Sequence, residues 1–483
     1  MASVRRLAAN IFTTWFANIF KVATQLVMLP LMARLLGPAD MGLYALALPI
    51  LTFVSLLSDG GLGDSLAREK EMDHRVWSSA FWGLLGSGIL LSGFVFGASF
   101  VIGAFAGQPK LPMIMLPLAS TLLMVAATVI PSALMLRAGR SGFGSLGDLI
   151  GYVIGAGLAI VMAFNGFGVW SMVAQYFTTF FIRMVMFNIF SPFRPKLRFD
   201  FKALIDHWGI GGSILGGRLA DLAGRTMENT LASRSLGAAL LGNYSYANQI
   251  PRFLSEAVSN PIWHNLYYLS FSGDKEAIPS HYVRHSRMIS LIVFPAAIML
   301  AVALPDVVPL LLGPQWTSTI YPMTLLLVTY PFVTLAAQTG AVLYAKGIAR
   351  PPLIASILMA VARVAVLACL PWIGMHGVAW GLAVINIVYW LGLTLYCQPI
   401  IGNTFSAMLL AIAGPIGCAA LAGAALYVML HGKAGIAWLL GCGFAAGLVY
   451  IGALFTLDRK RVLMDVAVIK TMVSKRRPVE ELG

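Results

Sequence analysis

The stretch Arg34-Leu-Leu-Gly-Pro-Ala-Asp-Met-Gly-Leu-Tyr-Ala-Leu-Ala47 occurs a second time in this chain, as Arg234-Ser-Leu-Gly-Ala-Ala-Leu-Leu-Gly-Asn-Tyr-Ser-Tyr-Ala247. Seven of the fourteen positions are identical, at an offset of 200 residues. Each copy leads into an apolar segment of about 20 residues, the length that crosses a bilayer core of roughly 30 Å. The repeat therefore predicts a membrane protein made of two equivalent halves.

The composition supports a membrane protein. Of 483 residues, 59% are hydrophobic and 11% are charged, whereas soluble proteins have roughly 45–50% and about 25%. The net charge of +14 would indicate nucleic acid only if a soluble domain carried a basic face. Because no loop is long enough to form such a domain, we predict no nucleic-acid partner.

Apolar runs bounded by charge, Gly or Pro predict about fourteen membrane spans. They lie near residues 9–33, 41–66, 79–106, 112–136, 145–164, 168–189, 209–233, 238–262, 287–312, 318–345, 351–371, 376–397, 405–430 and 434–456.

The Lys and Arg residues between the spans predict the orientation, since such residues favour the cytoplasmic side. With a cytoplasmic N-terminus, the inside segments hold 23 of them and the outside loops hold four: Arg34, Lys110, Arg234 and Lys433. Both termini are therefore predicted to be cytoplasmic. The loop 398–404 contains no basic residue, so spans 13 and 14 depend on hydropathy alone.

Six spans separate the two copies of the repeat, so the halves should point the same way, related by an axis along the membrane normal. We predict an all-α polytopic protein with two parallel six-helix lobes around a central cavity and two further C-terminal helices. The predicted domains are 1–206, 207–398, 399–456 and a basic cytoplasmic tail, 457–483.

Charged residues inside spans mark candidate functional positions, because a charge facing lipid costs several kcal/mol. Span 7 carries Arg218, Asp221, Arg225 and Glu228 at spacings of three, four and three, which places them on one helical face. The other candidates are Lys21 and Gln25 in span 1, Arg183 in span 6, Arg252 and Glu256 in span 8, and Arg363 in span 11.

Two interpretations of these charges remain open. In the first, Arg218, Arg225, Arg252, Arg363, Lys21 and Gln25 line a hydrated cavity that holds an anionic head group. In the second, the pairs Arg218–Asp221, Arg225–Glu228 and Arg252–Glu256 neutralise one another and hold helices together.

Glycines and carboxylates near helix ends suggest further local structure. Asp59 and Asp64, at the cytoplasmic end of span 2, are typical of a bend or gate, or of a solvated helix end. The pairs Gly151/Gly155 and Gly443/Gly447 permit close approach of helices, and we predict packing within the chain.

The motifs of ATP-driven pumps and zinc enzymes are absent: the sequence has no phosphate-binding Gly-x-x-x-x-Gly-Lys-Ser/Thr loop and no His-Glu-x-x-His. We therefore predict no cofactor, no metal and no enzymatic activity.

The stretch 34–47, followed by Asp-Gly-Gly-Leu-Gly-Asp-Ser-Leu-Ala-Arg-Glu at 59–69, resembles the first loop and second helix of the Wzx-like polysaccharide flippases. Leu-Gly-x-x-x-x-Gly-x-Tyr at 236–244 and the basic loop before span 7 are similar too. This family belongs to the multidrug/oligosaccharidyl-lipid/polysaccharide exporter superfamily, and the resemblance covers essentially the whole chain.

The resemblance implies a bacterial inner-membrane flippase that moves a polyprenyl-diphosphate-linked oligosaccharide to the periplasmic leaflet by alternating access, driven by an ion gradient or the membrane potential. It implies membrane lipids and polysaccharide polymerase or export proteins as partners. Asp221, Glu228 and Glu256 are then candidates for proton coupling.

Two other functions stay open: a drug/cation antiporter of the same superfamily and a non-transporting scaffold for a polysaccharide synthase. The antiporter would need an acidic cavity, whereas six bases and three clear acids lie inside the spans.

Overall fold

The protein is predominantly helical, without strands, in the ranges that its computed structural model describes. These ranges are 2–59, 74–137, 141–191, 193–196, 200, 226–227, 229–234, 239–255, 258, 266, 278–346, 348, 350–402, 404–430, 435–459 and 461–462. Within them, eleven helices are long and apolar enough to cross a membrane. The predicted all-α membrane fold is confirmed.

Eleven long helices follow one another along the described chain. They are α1 Ala2–Asp59, α2 His74–Phe105, α3 Leu111–Arg137, α4 Ser141–Phe164, α5 Trp170–Phe190, α6 Ile278–Val307, α7 Ile320–Ala345, α8 Arg350–Ala368, α9 Leu370–Ile401, α10 Phe405–Leu430 and α11 Ile436–Leu457. Shorter helical pieces occupy 229–234 and 239–255, where spans 7 and 8 were predicted.

Helix α1 contains the first predicted span, 9–33, and the second, 41–66, as far as Asp59. They meet at Gly37, whose φ of 77° and ψ of 174° interrupt the helical path. Only glycine adopts such a conformation at little cost, which explains the glycine after Leu36 near the start of the repeated stretch. Gly374 makes a similar break in α9, with a φ of 66°.

Internal contacts divide the chain into two compact units. Unit 1 contains Met1–Ser245, Leu311–Trp316 and Ser356–Gly374, and unit 2 contains the remainder. The described part of 226–245 thus packs with the first half of the chain, although the predicted lobes change at residue 206. The arrangement of two six-helix lobes stays a prediction.

In unit 1, α4 and α5 pack closely through small residues. A Cβ on Gly151 would lie 2.7 Å from the carbonyl oxygen of Thr179, and one on Gly155 would lie 2.7 Å from that of Gln175. Internal packing of this glycine pair is confirmed. For Gly443 and Gly447, a Cβ would meet nothing within 4 Å among the described residues, so that pair makes no such contact there.

In unit 2, α6 packs against α7, α10 and α11. Helices α10 and α11 coincide with spans 13 and 14, so hydropathy alone predicted both correctly. Helix α6 begins at Ile278, nine residues before the predicted start, because the polar residues His281, Arg284 and His285 lower the hydropathy of a segment that is nonetheless helical.

The early start of α6 places Arg287 inside the helix, with 6% of its side chain exposed. Arg287 Nη1 lies 2.7 Å from Asp458 Oδ2, the residue that ends α11, and it also donates to the carbonyl of Ala411 on α10 at 3.3 Å. A Cβ on Gly414 would lie 2.6 Å from Asp458 Oδ2. One buried ion pair therefore fastens both C-terminal helices to α6.

A candidate outer gate and the charged spans

The two copies of the repeated stretch contact each other in unit 1. We call the end that carries Arg34 and Arg234 the outer end, because the Lys and Arg count predicts that it faces outward. A Cβ on Gly242 would overlap the carbonyl oxygen of Pro38 and lie 3.1 Å from the backbone nitrogen of Gly42, the residue equivalent to Gly242 in the first copy. Backbone therefore packs directly on backbone, which only glycine permits.

A buried tryptophan closes the same end of unit 1. Trp316, whose side chain is fully buried, donates from Nε1 to the carbonyl of Ala33 at 2.9 Å. Ala33 lies in the last turn before the break at Gly37. Carbonyl groups in the last turn of a helix have no N–H donor within that helix. Gln315 Nε2 also donates to the carbonyl of Arg34, at 3.4 Å. The segment Leu311–Trp316 thus caps the first half of α1, although the hydrogen-bonded residues are 281 and 283 positions apart in the sequence.

The helical piece 229–234 adds three more contacts to the first part of the chain. Asn229 Nδ2 donates to the carbonyl of Ala45 at 2.8 Å, and Ser233 Oγ donates to that of Ala106 at 3.1 Å. The guanidinium carbon of Arg234 lies 4.3 Å from the centroid of the Phe105 ring, a cation–π contact.

All these contacts join residues below 110 to residues above 225. We call the set formed by Gly242, Trp316, Asn229 and Ser233 with their partners the outer gate. The repeat pointed to the two stretches but not to their contact. The signal that would have found it is the glycine that both copies share, Gly42 and Gly242.

The structure describes four of the residues predicted to line a cavity. Lys21 is exposed and Gln25 is half-buried on α1, one turn apart on the same face. Twelve residues separate Lys21 from Ala33, so Lys21 lies roughly 18 Å along the helix from the outer gate. That depth is close to the middle of a bilayer core of about 30 Å.

Arg252 is half-buried in the piece 239–255, which from Tyr246 onward belongs to unit 2, and Arg363 is half-buried on the part of α8 that belongs to unit 1. The other predicted positions, Arg218, Asp221, Arg225, Glu228 and Glu256, lie outside the described residues. Whether they form a cavity or neutral pairs stays a prediction.

Asp59, one residue of the predicted bend or gate, is the last residue of α1. Its side chain lies outside the described part of the structure. Asp64 and the glycines around it fall outside the described ranges.

Arg183, for which the sequence indicated no acidic partner, forms an ion pair in the structure. Arg183 Nε lies 3.1 Å from Asp148 Oδ1 on α4, and its guanidinium carbon lies 5.6 Å from the Phe187 ring centroid. Sequence reasoning missed this pair because 35 residues separate the two charges. Arg183 is thus a packing contact between α4 and α5.

Two pairs of neutral polar residues are hydrogen-bonded inside unit 2, where sequence reasoning predicted nothing. Tyr282 Oη lies 2.8 Å from Thr339 Oγ1, and Asn386 Nδ2 donates to Thr329 Oγ1 at 3.2 Å. Between spans such hydrogen bonds contribute about 0.6 to 1.7 kcal/mol each. They connect α6 with α7 and α7 with α9.

Residues 31–321 match the protein family described as "Polysaccharide biosynthesis protein". This match covers more than half of the chain. The chain belongs to the polysaccharide biosynthesis protein family. The predicted resemblance to the Wzx-like family is confirmed by this match and by the similarity to WzxC given below.

Two relatives in this family are informative. The chain is 26% identical over 340 residues to the lipopolysaccharide biosynthesis protein WzxC of Escherichia coli K12, covering 68% of each protein. It is 22% identical over 301 residues to the succinoglycan biosynthesis transport protein ExoT of Rhizobium meliloti, covering 60% of this chain and 59% of ExoT.

The fold is similar to that of a solved structure, the lipid II flippase MurJ in its inward closed conformation. The TM-score is 0.74 at 13% identity, and the similarity covers 94% of this chain and 99% of MurJ. At that level of identity the likeness concerns the fold alone.

Proposed function

We propose that this member of the polysaccharide biosynthesis protein family is an inner-membrane flippase for a polyprenyl-diphosphate-linked oligosaccharide. The observation that carries the proposal is the family match over 31–321, joined to a fold similar to a lipid-linked-substrate flippase over nearly its whole length. The relatives named for transport or synthesis of surface polysaccharides support the same substrate class.

The charges support a diphosphate as the group that is recognised. Lys21 is exposed about halfway along the first span, where a charge facing lipid would cost several kcal/mol. A hydrated cavity removes that cost and supplies a cation for an anionic head group. Arg218, Arg225, Arg252 and Arg363 are proposed to line it, with Asp221, Glu228 and Glu256 as coupling groups.

The outer gate supports alternating access. A carrier must close one end of its cavity while the other is open, and the tight contact of Gly242 with Pro38 supports a closed end at this position. We propose that the lipid-linked oligosaccharide enters from the cytoplasmic side and that the outer gate opens to release it. Polysaccharide polymerase or export proteins are proposed to take it onward.

The direct test is to delete the gene and to identify the lipid-linked intermediate that the cells accumulate. We expect a polyprenyl-diphosphate oligosaccharide on the cytoplasmic leaflet, and loss of the surface polysaccharide. A strain that keeps its polysaccharide and accumulates no such lipid would exclude the flippase function.

Replacing Lys21 with alanine is expected to lower surface polysaccharide at least tenfold at an unchanged protein level, because about 1.5–3 kcal/mol of charge-assisted hydrogen bonding is lost. Lys21→Arg should retain activity. Lys110→Ala, an exposed cation in the loop before α3, serves as the control. Full transport by Lys21→Ala would show that Lys21 does not bind the substrate in the cavity. The sequence predicts a similar loss for Arg218→Ala and for Arg225→Ala.

The proposed orientation is tested at Gly402, in the turn between α9 and α10, where the loop carries no basic residue to indicate a side. A reporter fused after Gly402 should be active as a cytoplasmic enzyme and silent as a periplasmic one. The opposite result would show that α10 and α11 cross the membrane in the direction opposite to the proposed one.

A further inference from the structure

An apolar groove lies inside unit 1, next to the outer gate. Its volume is about 500 Å³, within the range of roughly 300–1,000 Å³ that holds small-molecule ligands. One wall is a single face of α2 formed by Phe94, Ala98, Ile102 and Phe105, and the other is Thr226, Met227, Thr230 and Leu231. The Thr230 hydroxyl is bonded to the Thr226 carbonyl at 2.7 Å, so the walls offer a ligand almost no polar group.

The length of the groove corresponds to one leaflet. Eleven residues separate Phe94 from Phe105, which is roughly 16 Å along a helix, about half of a bilayer core of roughly 30 Å. A narrow apolar groove of this length and volume fits a single acyl chain. A polyprenyl chain of the proposed substrate is much longer.

A cation stands at the outer mouth of the groove. Arg234 is exposed, and its guanidinium lies against the ring of Phe105, which itself lines the groove. The hydrogen bond from Ser233 to Ala106 holds this position. Among the described residues, no carboxylate lies within salt-bridge distance of Arg234, so its charge is available to an anionic group beside Phe105.

We propose that this groove is a binding site for an anionic diacyl phospholipid of the outer leaflet, with one acyl chain along α2 and the phosphate at Arg234. Arginine suits this role because its planar guanidinium binds phosphate oxygens through two parallel hydrogen bonds. The assignment of the outer leaflet uses the orientation predicted from the Lys and Arg count. None of the groove residues is among those proposed to line the cavity for the oligosaccharide lipid, and binding in the groove does not depend on transport.

The test is native mass spectrometry of the purified protein titrated with phosphatidylglycerol or with phosphatidylcholine of the same acyl chains. We expect the wild type to retain one phosphatidylglycerol at least tenfold more tightly than phosphatidylcholine. Arg234→Ala should abolish that preference because the charge-assisted bonds are lost, and Arg234→Lys should restore most of it.

Matched variants separate this site from ordinary lipid around the protein. Ala98→Leu fills the groove and should weaken phosphatidylglycerol retention at least tenfold, whereas Ala104→Leu changes an exposed position of the same helix and should leave retention unchanged. Arg350→Ala removes the same charge at the start of α8, in unit 2, and should also have no effect. Thermal unfolding without added lipid checks that each variant is folded.

Three results would overturn the proposal. They are equal retention of the two phospholipids by the wild type, unchanged retention in Ala98→Leu, and displacement of phosphatidylglycerol by equimolar polyprenyl phosphate. The last result would make the groove part of the substrate path. None of these readouts involves flipping, so a failure here is distinguishable from a failure of the proposed function.

Discussion

Gly242→Ala is expected to shift the protein away from a closed outer gate and to reduce flipping at least tenfold. The added methyl group would overlap the carbonyl oxygen of Pro38, which belongs to the backbone and has no rotamer by which to retreat. Overpacking of this kind costs about 1–3 kcal/mol and occasionally more. Since about 1.4 kcal/mol changes a population ratio tenfold, the upper value would change the balance between closed and open gates by roughly a hundredfold.

The shift is measurable as exposure of a buried position. Leu241 is fully buried beside Gly242, so Leu241→Cys, in a chain without its four native cysteines, should react slowly with a membrane-impermeant maleimide added outside. Adding Gly242→Ala should accelerate the reaction at least tenfold. Gly157→Ala is the matched control, because a Cβ there would meet nothing within 4 Å. Slow labelling and full transport in Gly242→Ala would show that the contact is not a gate.

Asp458→Ala is expected to destabilise unit 2 by about 3–5 kcal/mol, the usual cost of removing one partner from a buried ion pair. Only 6% of the Arg287 side chain and 11% of that of Asp458 are exposed, so the remaining guanidinium would keep its charge in an apolar surrounding without its carboxylate. We expect a lower melting temperature in detergent and a reduced steady-state level in cells.

Two variants identify the cause. The double change Arg287→Met with Asp458→Leu removes both charges and should recover most of the stability, because replacing a whole buried pair with apolar residues is often neutral. The control is Arg75→Ala, which breaks the pair between Arg75 and Asp200 at 2.6 Å with 65% of the Arg75 side chain exposed. An exposed pair contributes about 0–1 kcal/mol. Equal melting temperatures for Asp458→Ala and the wild type would refute the role of the pair.

This ion pair also bears on the two C-terminal helices, whose place in the fold was the least constrained part of the sequence analysis. The loop 398–404 before α10 has no Lys or Arg to indicate a side, yet α10 and α11 form where hydropathy placed them. Their attachment to α6 depends on Arg287, the first residue of the predicted span 287–312. The C-terminal helices are therefore an integral part of unit 2.

The amino-acid sequence by itself determined the helices of this protein, because hydropathy and glycine breaks act over one or two turns. The apolar runs predicted α2 to α5 and α7 to α11 to within several residues, and the repeated Leu-Gly placed the break at Gly37. The family resemblance was likewise readable from contiguous residues, since the motif at 34–47 lies within the matched range.

Tertiary structure alone decided which distant residues meet. Arg183 finds Asp148 across 35 positions, Arg287 finds Asp458 across 171, and Gly242 meets Pro38 across 204. No local pattern encodes these pairs, because each depends on which faces of two helices come together. The stretch 34–47 illustrates both cases: its repetition predicts two equivalent halves, and only the packed structure showed that the two copies contact each other at Gly42 and Gly242.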